Sequence, residues 1–191
     1  MRIVHWSPAQ ARERMPEAMA VYAEAMGYPP VAAQHRTGFA VAHTRRAHFR
    51  AVAALAGDLP TPADGRAGGP EVLGFGYGYA TEPGQWWHDQ VQAALDPEVA
   101  AEWLRGCFEL SELHVRPSYQ GRGTGRALLD ALVAGLPQQA VLLSTPEGDT
   151  RAWRLYRSVG FVDLLRHHLF PGDARPFAVL GVRLPLVAAR A

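Results

Sequence analysis

Residues 109–125 read ELSELHVRPSYQGRGTG, from Glu109 to Gly125. The stretch divides into a strand, a sharp break and a glycine-rich turn that opens a helix. The strand spans Phe108 to Val115, with apolar Phe108, Leu110, Leu113 and Val115 among polar neighbours, and Pro117 stops it. The turn is Gln120-Gly121-Arg122-Gly123-Thr124-Gly125. From Arg126 to Ala134 the apolar residues Leu128, Ala131 and Leu132 recur at helical spacing, and Gly135-Leu136-Pro137 ends the run.

Such a turn suits an anion. Glycines at alternate positions leave the backbone bare, so that its N–H groups can approach closely. The helix that follows adds unpaired N–H donors and the positive end of its dipole. Arg122 and Arg126 add formal positive charge. Two common phosphate loops are excluded. The ATP loop needs a lysine that is missing here, and the dinucleotide fingerprint fails because Arg126 takes the place of its third glycine.

The pattern that fits is Gln120-x-x-Gly123-x-Gly125 after a strand ending Leu113-His114-Val115-Arg116-Pro117. A second stretch, Asp149 to Phe161, reads DTRAWRLYRSVGF. Together they resemble the GCN5-related N-acetyltransferase (GNAT) family, whose second motif runs N-x-x-A-x-x-L-Y-x-x-x-G-F. Ala152, Leu155, Tyr156, Gly160 and Phe161 fall in place, while Asp149 stands where the family usually has Asn. The resemblance covers about Phe108 to Leu169, and the first hundred residues match in general layout only.

The resemblance implies an α/β (α+β) fold, a mixed and mostly antiparallel central sheet flanked by helices on both faces. It implies acetyl-CoA as co-substrate, with its pyrophosphate on the Gln120–Gly125 loop. Implied cofactor contacts are Leu113, His114, Val115, Gln120, Gly121, Arg122, Gly123, Thr124, Gly125, Arg126, Asp149, Arg151 and Tyr156. The backbone of Leu113 and Val115 would pair with the pantetheine arm.

Bulk properties set the frame. A chain of 191 residues suits one domain, read here as 1–186 with a tail at 187–191. At 48% hydrophobic residues it can build a core. A formal net charge of +1 argues against a large nucleic-acid surface. Cys107 is the lone cysteine, which rules out an internal disulfide and points to a reducing cytoplasm. No apolar run is long enough to cross a bilayer, and the N-terminus lacks a signal-peptide core. The expected partners are acetyl-CoA and an amine acceptor, with no nucleic acid, membrane or metal; a homodimer is left open.

In chain order, Arg2–Trp6 reads as an edge strand. Ser7-Pro8 caps a helix to about Met26, with Met15 and Met19 as core filler. Residues 31–48 read as a short helix carrying His35, Arg36, His43, Arg45, Arg46 and His48 at the surface. Phe49–Leu55 is a strand, 56–70 a mobile hairpin loop. In Glu71–Thr81 (EVLGFGYGYAT), Phe75, Tyr77 and Tyr79 line one face; Gly74, Gly76 and Gly78 line the other, where something must pack closely. Asp96-Pro97 starts a helix, preceded by Trp86-Trp87, which either anchor packing or roof an acceptor pocket. Ala140–Ser144 is a short strand, and Val162–Phe170 and Phe177–Leu186 close the sheet.

Acetyl transfer needs a deprotonated amine, starting from a lysine-like pKa of about 10.4. It also needs a polarised carbonyl and a proton for the leaving thiolate. By its place in the second motif, Tyr156 is the implied general acid. Glu109 is the candidate base. Glu112 is its rival, on the other face of the strand by alternation, and His114 is a possible relay. Aromatic residues around Trp86 and Tyr77 favour a small amine over a peptide. The competing reading is a catalytically silent acyl-CoA sensor.

Overall fold

The structure is a computed structural model, and residues 1–57 and 69–186 are described. The loop expected over 56–70 and the tail at 187–191 therefore fall mostly or wholly outside the described residues. The strands are β1 (Arg2–Trp6), β2 (Arg50–Leu55), β3 (Val72–Ala80), β4 (Phe108–Val115), β5 (Ala140–Pro146), β6 (Val162–His168) and β7 (Phe177–Arg183). The helices are α1 (Pro8–Met26), α2 (Pro30–His43), α3 (Trp86–Ala94), α4 (Pro97–Trp103), α5 (Thr124–Val133) and α6 (Arg151–Ser158). The strand order is β1-β2-β3-β4-β5-β7-β6. The mixed, mostly antiparallel sheet expected from the sequence is present, with β4 and β5 its parallel pair.

By contacts the chain gathers into two compact units: Met1–Gly78 with Glu112–Leu132, and Tyr79–Ser111 with Val133–Ala191. In the first unit, Ser7 and Gln10 form a capping box at the start of α1, and Gly27 closes it in the left-handed conformation. Met15 and Met19 are buried, as core filler should be. β1 pairs antiparallel with β2 and β2 with β3. The glycine face of β3 meets its expected close neighbours. A Cβ on Gly74 would sit 2.9 Å from the His114 carbonyl oxygen and 3.1 Å from Leu128 Cδ1. One on Gly76 would sit 2.9 Å from Leu113 Cδ1. Leu128 and Leu132 of α5 thus cover that face, while Tyr77 on the other meets His43 of α2.

In the second unit, β4 pairs with β5 at Phe108↔Val141 and Glu109↔Leu142. β5 pairs with β7 over seven positions, Ala140↔Arg183 to Pro146↔Phe177, and β7 lies between β5 and β6. A core cluster joins Trp87 and Val91 of α3, Ala100 of α4, Leu142 of β5 and Val179 of β7. Val99 and Trp103 of α4 pack against it. Trp86-Trp87 do not merely precede a helix: they begin α3, which the sequence reading lacked. Its N-cap Gln85 makes no side-chain capping bond, so the usual start signal was absent.

Candidate active site

The Gln120–Gly125 turn takes the backbone shape its glycines allow. Gly121 has φ +72° and Gly123 φ +80°, the left-handed region that side chains resist. A Cβ at either would meet nothing within 4 Å. Glycine is needed there for its backbone angles, and the space beside each is open. α5 begins at Thr124, two residues before the expected start, so the last turn residues form its first turn. Their N–H groups have no partner inside the helix. The bond from Ala127 N–H to the Gly123 carbonyl is the first of the helical series.

Side chains brace this turn from behind. Gln120 Nε2 donates to the Val115 carbonyl at 2.9 Å, tying the turn to the end of β4. Thr124, nearly fully buried, donates from Oγ1 to the Tyr119 carbonyl at 3.3 Å. Arg122 lies over the Tyr119 ring, 5.6 Å from its centre. Arg126 is held by Asp130 one turn along α5 at 2.7 Å, so part of its charge is compensated locally.

The two carboxylates of β4 have different surroundings. Glu112 is buried, and both of its carboxylate oxygens are engaged. Arg36 Nε donates to its Oε1 at 2.6 Å, and His114 Nε2 lies 2.6 Å from Oε2. Burial pushes this carboxyl up, but the His114 hydrogen bond and the Arg36 charge prevail and hold it below its ordinary value. A carboxylate so pinned is a poor proton acceptor. Glu109, also buried, accepts from the Tyr79 hydroxyl at 3.1 Å.

Residues 31–48 were expected to hold surface side chains; Arg36 is exposed and His43 half-buried, and both reach residues of the sheet. Arg36 reaches Glu112 and stacks over the Tyr22 ring at 5.3 Å. His43 Nδ1 lies 3.2 Å from the Tyr77 hydroxyl. Burial, and then the Arg46 charge, push His43 down to about 4, so it is neutral at physiological pH. Among the described residues, no three His, Cys, Asp or Glu side chains are grouped as for a metal ion.

The second motif forms α6, capped by Thr150, whose side chain accepts from Trp153 N–H at 3.1 Å. Tyr156 is buried, its ring 5.3 Å from Phe161. Asp149 is ion-paired with Arg154 and Arg151 is exposed. Glu147, absent from the sequence reading, braces the loop into α6. It accepts from Arg166 at 2.8 Å and from the His167 backbone at 2.7 Å, and these contacts lower its carboxyl to about 2.

The adjacent tryptophans part company. Trp87 is core, 8% exposed, and its Nε1 donates to Ser144 Oγ at 3.1 Å. Trp86 is 57% exposed and leans on Phe170.

The acetyltransferase (GNAT) family profile matches residues 68–161. A GCN5-like protein acetyltransferase of Mycobacterium tuberculosis is 41% identical over 202 residues, covering 96% of this chain and 98% of the relative.

The chain belongs to the GNAT family.

This acetyltransferase shares its fold with a GNAT-family protein of Desulfovibrio desulfuricans at TM-score 0.61 and 16% identity, over 95% of this chain and 98% of that one. It shares it also with yncA of Salmonella typhimurium, solved with its cofactor acetyl-CoA, at TM-score 0.59 and 16% identity, over 100% and 98%. At such identities the likeness concerns the fold alone. No helix among the described residues is long and apolar enough to cross a membrane.

Proposed function

We propose that this acetyltransferase moves an acetyl group from acetyl-CoA to a primary amine by direct transfer in a ternary complex. The observation that carries the cofactor is the Gln120–Gly125 turn, with two left-handed glycines running into the first turn of α5. Its N–H donors and helix dipole suit a pyrophosphate. The β4 register with β5 covers Phe108 and Glu109 and not Leu113 or Val115, which supports those two as backbone partners of the pantetheine arm. Asp149 and Arg151, at the start of α6, are the remaining cofactor contacts in this reading.

Acetyl-CoA supplies the thioester carbon. Glu109 accepts the amine proton, directly or through one water, as the nitrogen attacks that carbon. Tyr156 gives its phenolic proton to the sulfur as the C–S bond breaks. An amide and the free thiol of CoA result. Glu112 is set aside as base because Arg36 and His114 already occupy it.

The acceptor is the finer question. The small-amine reading leaned on Trp86 and Tyr77. Tyr77 is 1% exposed, which leaves Trp86 alone to support it. The 41% identical relative is called a protein acetyltransferase, which supports an amine of a protein. We take that as the first acceptor class and a small amine as the second. The cytoplasm, one catalytic domain over 1–186 and the absence of a nucleic-acid partner belong to this reading, the last on the net charge of +1.

The test is thiol release from acetyl-CoA with a panel of lysine-bearing proteins, peptides and small amines. The wild type should turn over a protein acceptor, and Gly123→Ala should weaken CoA binding in calorimetry with the fold kept. Tyr156→Phe should lower turnover roughly 10²–10⁴-fold with CoA affinity nearly constant. CoA binding without turnover on any acceptor would favour the silent sensor. Unchanged CoA affinity in Gly123→Ala would refute the loop assignment.

A further inference from the structure

We propose that Tyr79 is a positioning residue that fixes the Glu109 carboxylate and, by donating a hydrogen bond to it, favours its charged form. This deepens the reading of Glu109 as the base and rests on it.

The two residues are 30 positions apart and meet in a buried place. Tyr79 is 4% exposed and Glu109 is 5% exposed. The Tyr79 hydroxyl donates to Glu109 Oε1 at 3.1 Å. The backbone of Glu109 is set by its pairing with Leu142 of β5. The carboxylate is therefore anchored at both ends, by the ladder below and the phenol above. Such anchoring matters for a proton acceptor, whose efficiency depends on being held within hydrogen-bond reach of the proton it takes.

Charge points the same way. Burial disfavours a carboxylate against the carboxylic acid. A hydrogen bond donated to the charged form opposes that effect. The phenol is a donor that brings no charge of its own, so it supports the carboxylate without compensating it as a guanidinium would. Among the described residues, one titratable neighbour is Cys107, fully buried just before β4. Burial, and then the Glu109 charge, push its thiol up to about 12, so it stays neutral and does not compete for the proton.

Tyr79→Phe keeps the ring and removes the hydroxyl alone, so the packing of β3 survives; thermal melting by circular dichroism checks this. Two measurements follow. The first is the titration midpoint of the Glu109 carboxyl carbon by NMR, assigned with Glu109→Gln, which needs no activity. It should rise by about one pH unit in Tyr79→Phe, the size expected for a lost hydrogen bond to a charged group. The second is the pH profile of kcat/KM for the amine. Its acidic limb should move up by the same amount, with CoA affinity within about twofold, since phosphate contacts lie elsewhere. In a Glu109→Gln background, Tyr79→Phe should add little further loss. An unchanged NMR midpoint overturns the coupling. A shifted midpoint with an unmoved acidic limb in an active enzyme overturns Tyr79 as a positioning residue for the base. A wild type that binds CoA but transfers nothing overturns the proposed function instead, and with it the catalytic meaning of the pair.

Discussion

Arg36→Ala should destabilise the protein far more than the loss of a surface arginine would. The Glu112 side chain is 4% exposed, that of Arg36 46%. Removing one partner of a fully buried ion pair costs about 3–5 kcal/mol. An exposed pair is worth about 0–1 kcal/mol. Here one end is buried and the other half in water, and His114 remains on the second oxygen. Water entering through the space left by Arg36 can solvate part of the charge. A loss of about 2 kcal/mol is the expected compromise, within the range for a hydrogen bond to a charged group. For a chain of this size that is a fall in Tm of about 4–8 °C. The pH dependence has a definite sign. Glu112 is held below its ordinary value of 4.5 in the folded state. Its contribution is complete above that value and is lost as pH falls through the lower, folded one. The gap between wild type and Arg36→Ala should therefore be widest near neutrality and close on acidification. Calorimetric melting across pH, with Glu112→Gln and the double variant completing a cycle, measures this. A Tm loss under about 1 °C at neutral pH, well outside the range worked above, would refute the argument. So would strict additivity of the two substitutions.

Trp87→Ala should cost about 3–5 kcal/mol by emptying the α3 site in the core, read as a large drop in Tm. Trp86→Ala should stay within about 0.5 kcal/mol of wild type and raise the acceptor's KM; a stability loss equal to that of Trp87→Ala would contradict their different burial. Gly74→Ala puts a methyl 2.9 Å from the His114 carbonyl oxygen, a backbone atom that cannot swing aside. A loss of about 1–3 kcal/mol by denaturant titration is expected, and a neutral result would mean that β3 and β4 part easily.

Local signals carried much of this protein. The Ser7 cap with Pro8, the Gly27 stop, the β4 strand ending before Pro117 and the glycine turn before α5 were legible because each depends on the sterics or hydrogen bonds of a few adjacent residues. The glycine face of β3 announced a close neighbour by the same logic, though not its identity. The two motifs, read against the family, pointed to the fold and the cofactor loop. What the tertiary structure decided are the meetings of distant residues. Nothing near Arg36 marks it as the partner of Glu112, 76 positions away, and nothing near Tyr79 marks it as the donor to Glu109. Trp86 and Trp87 are identical in type and adjacent, and they differ because one side of α3 meets the core and the other does not. The place of β7 between β5 and β6 likewise depends on which hydrophobic faces find each other, a choice made by packing across the chain and not by any short stretch of it.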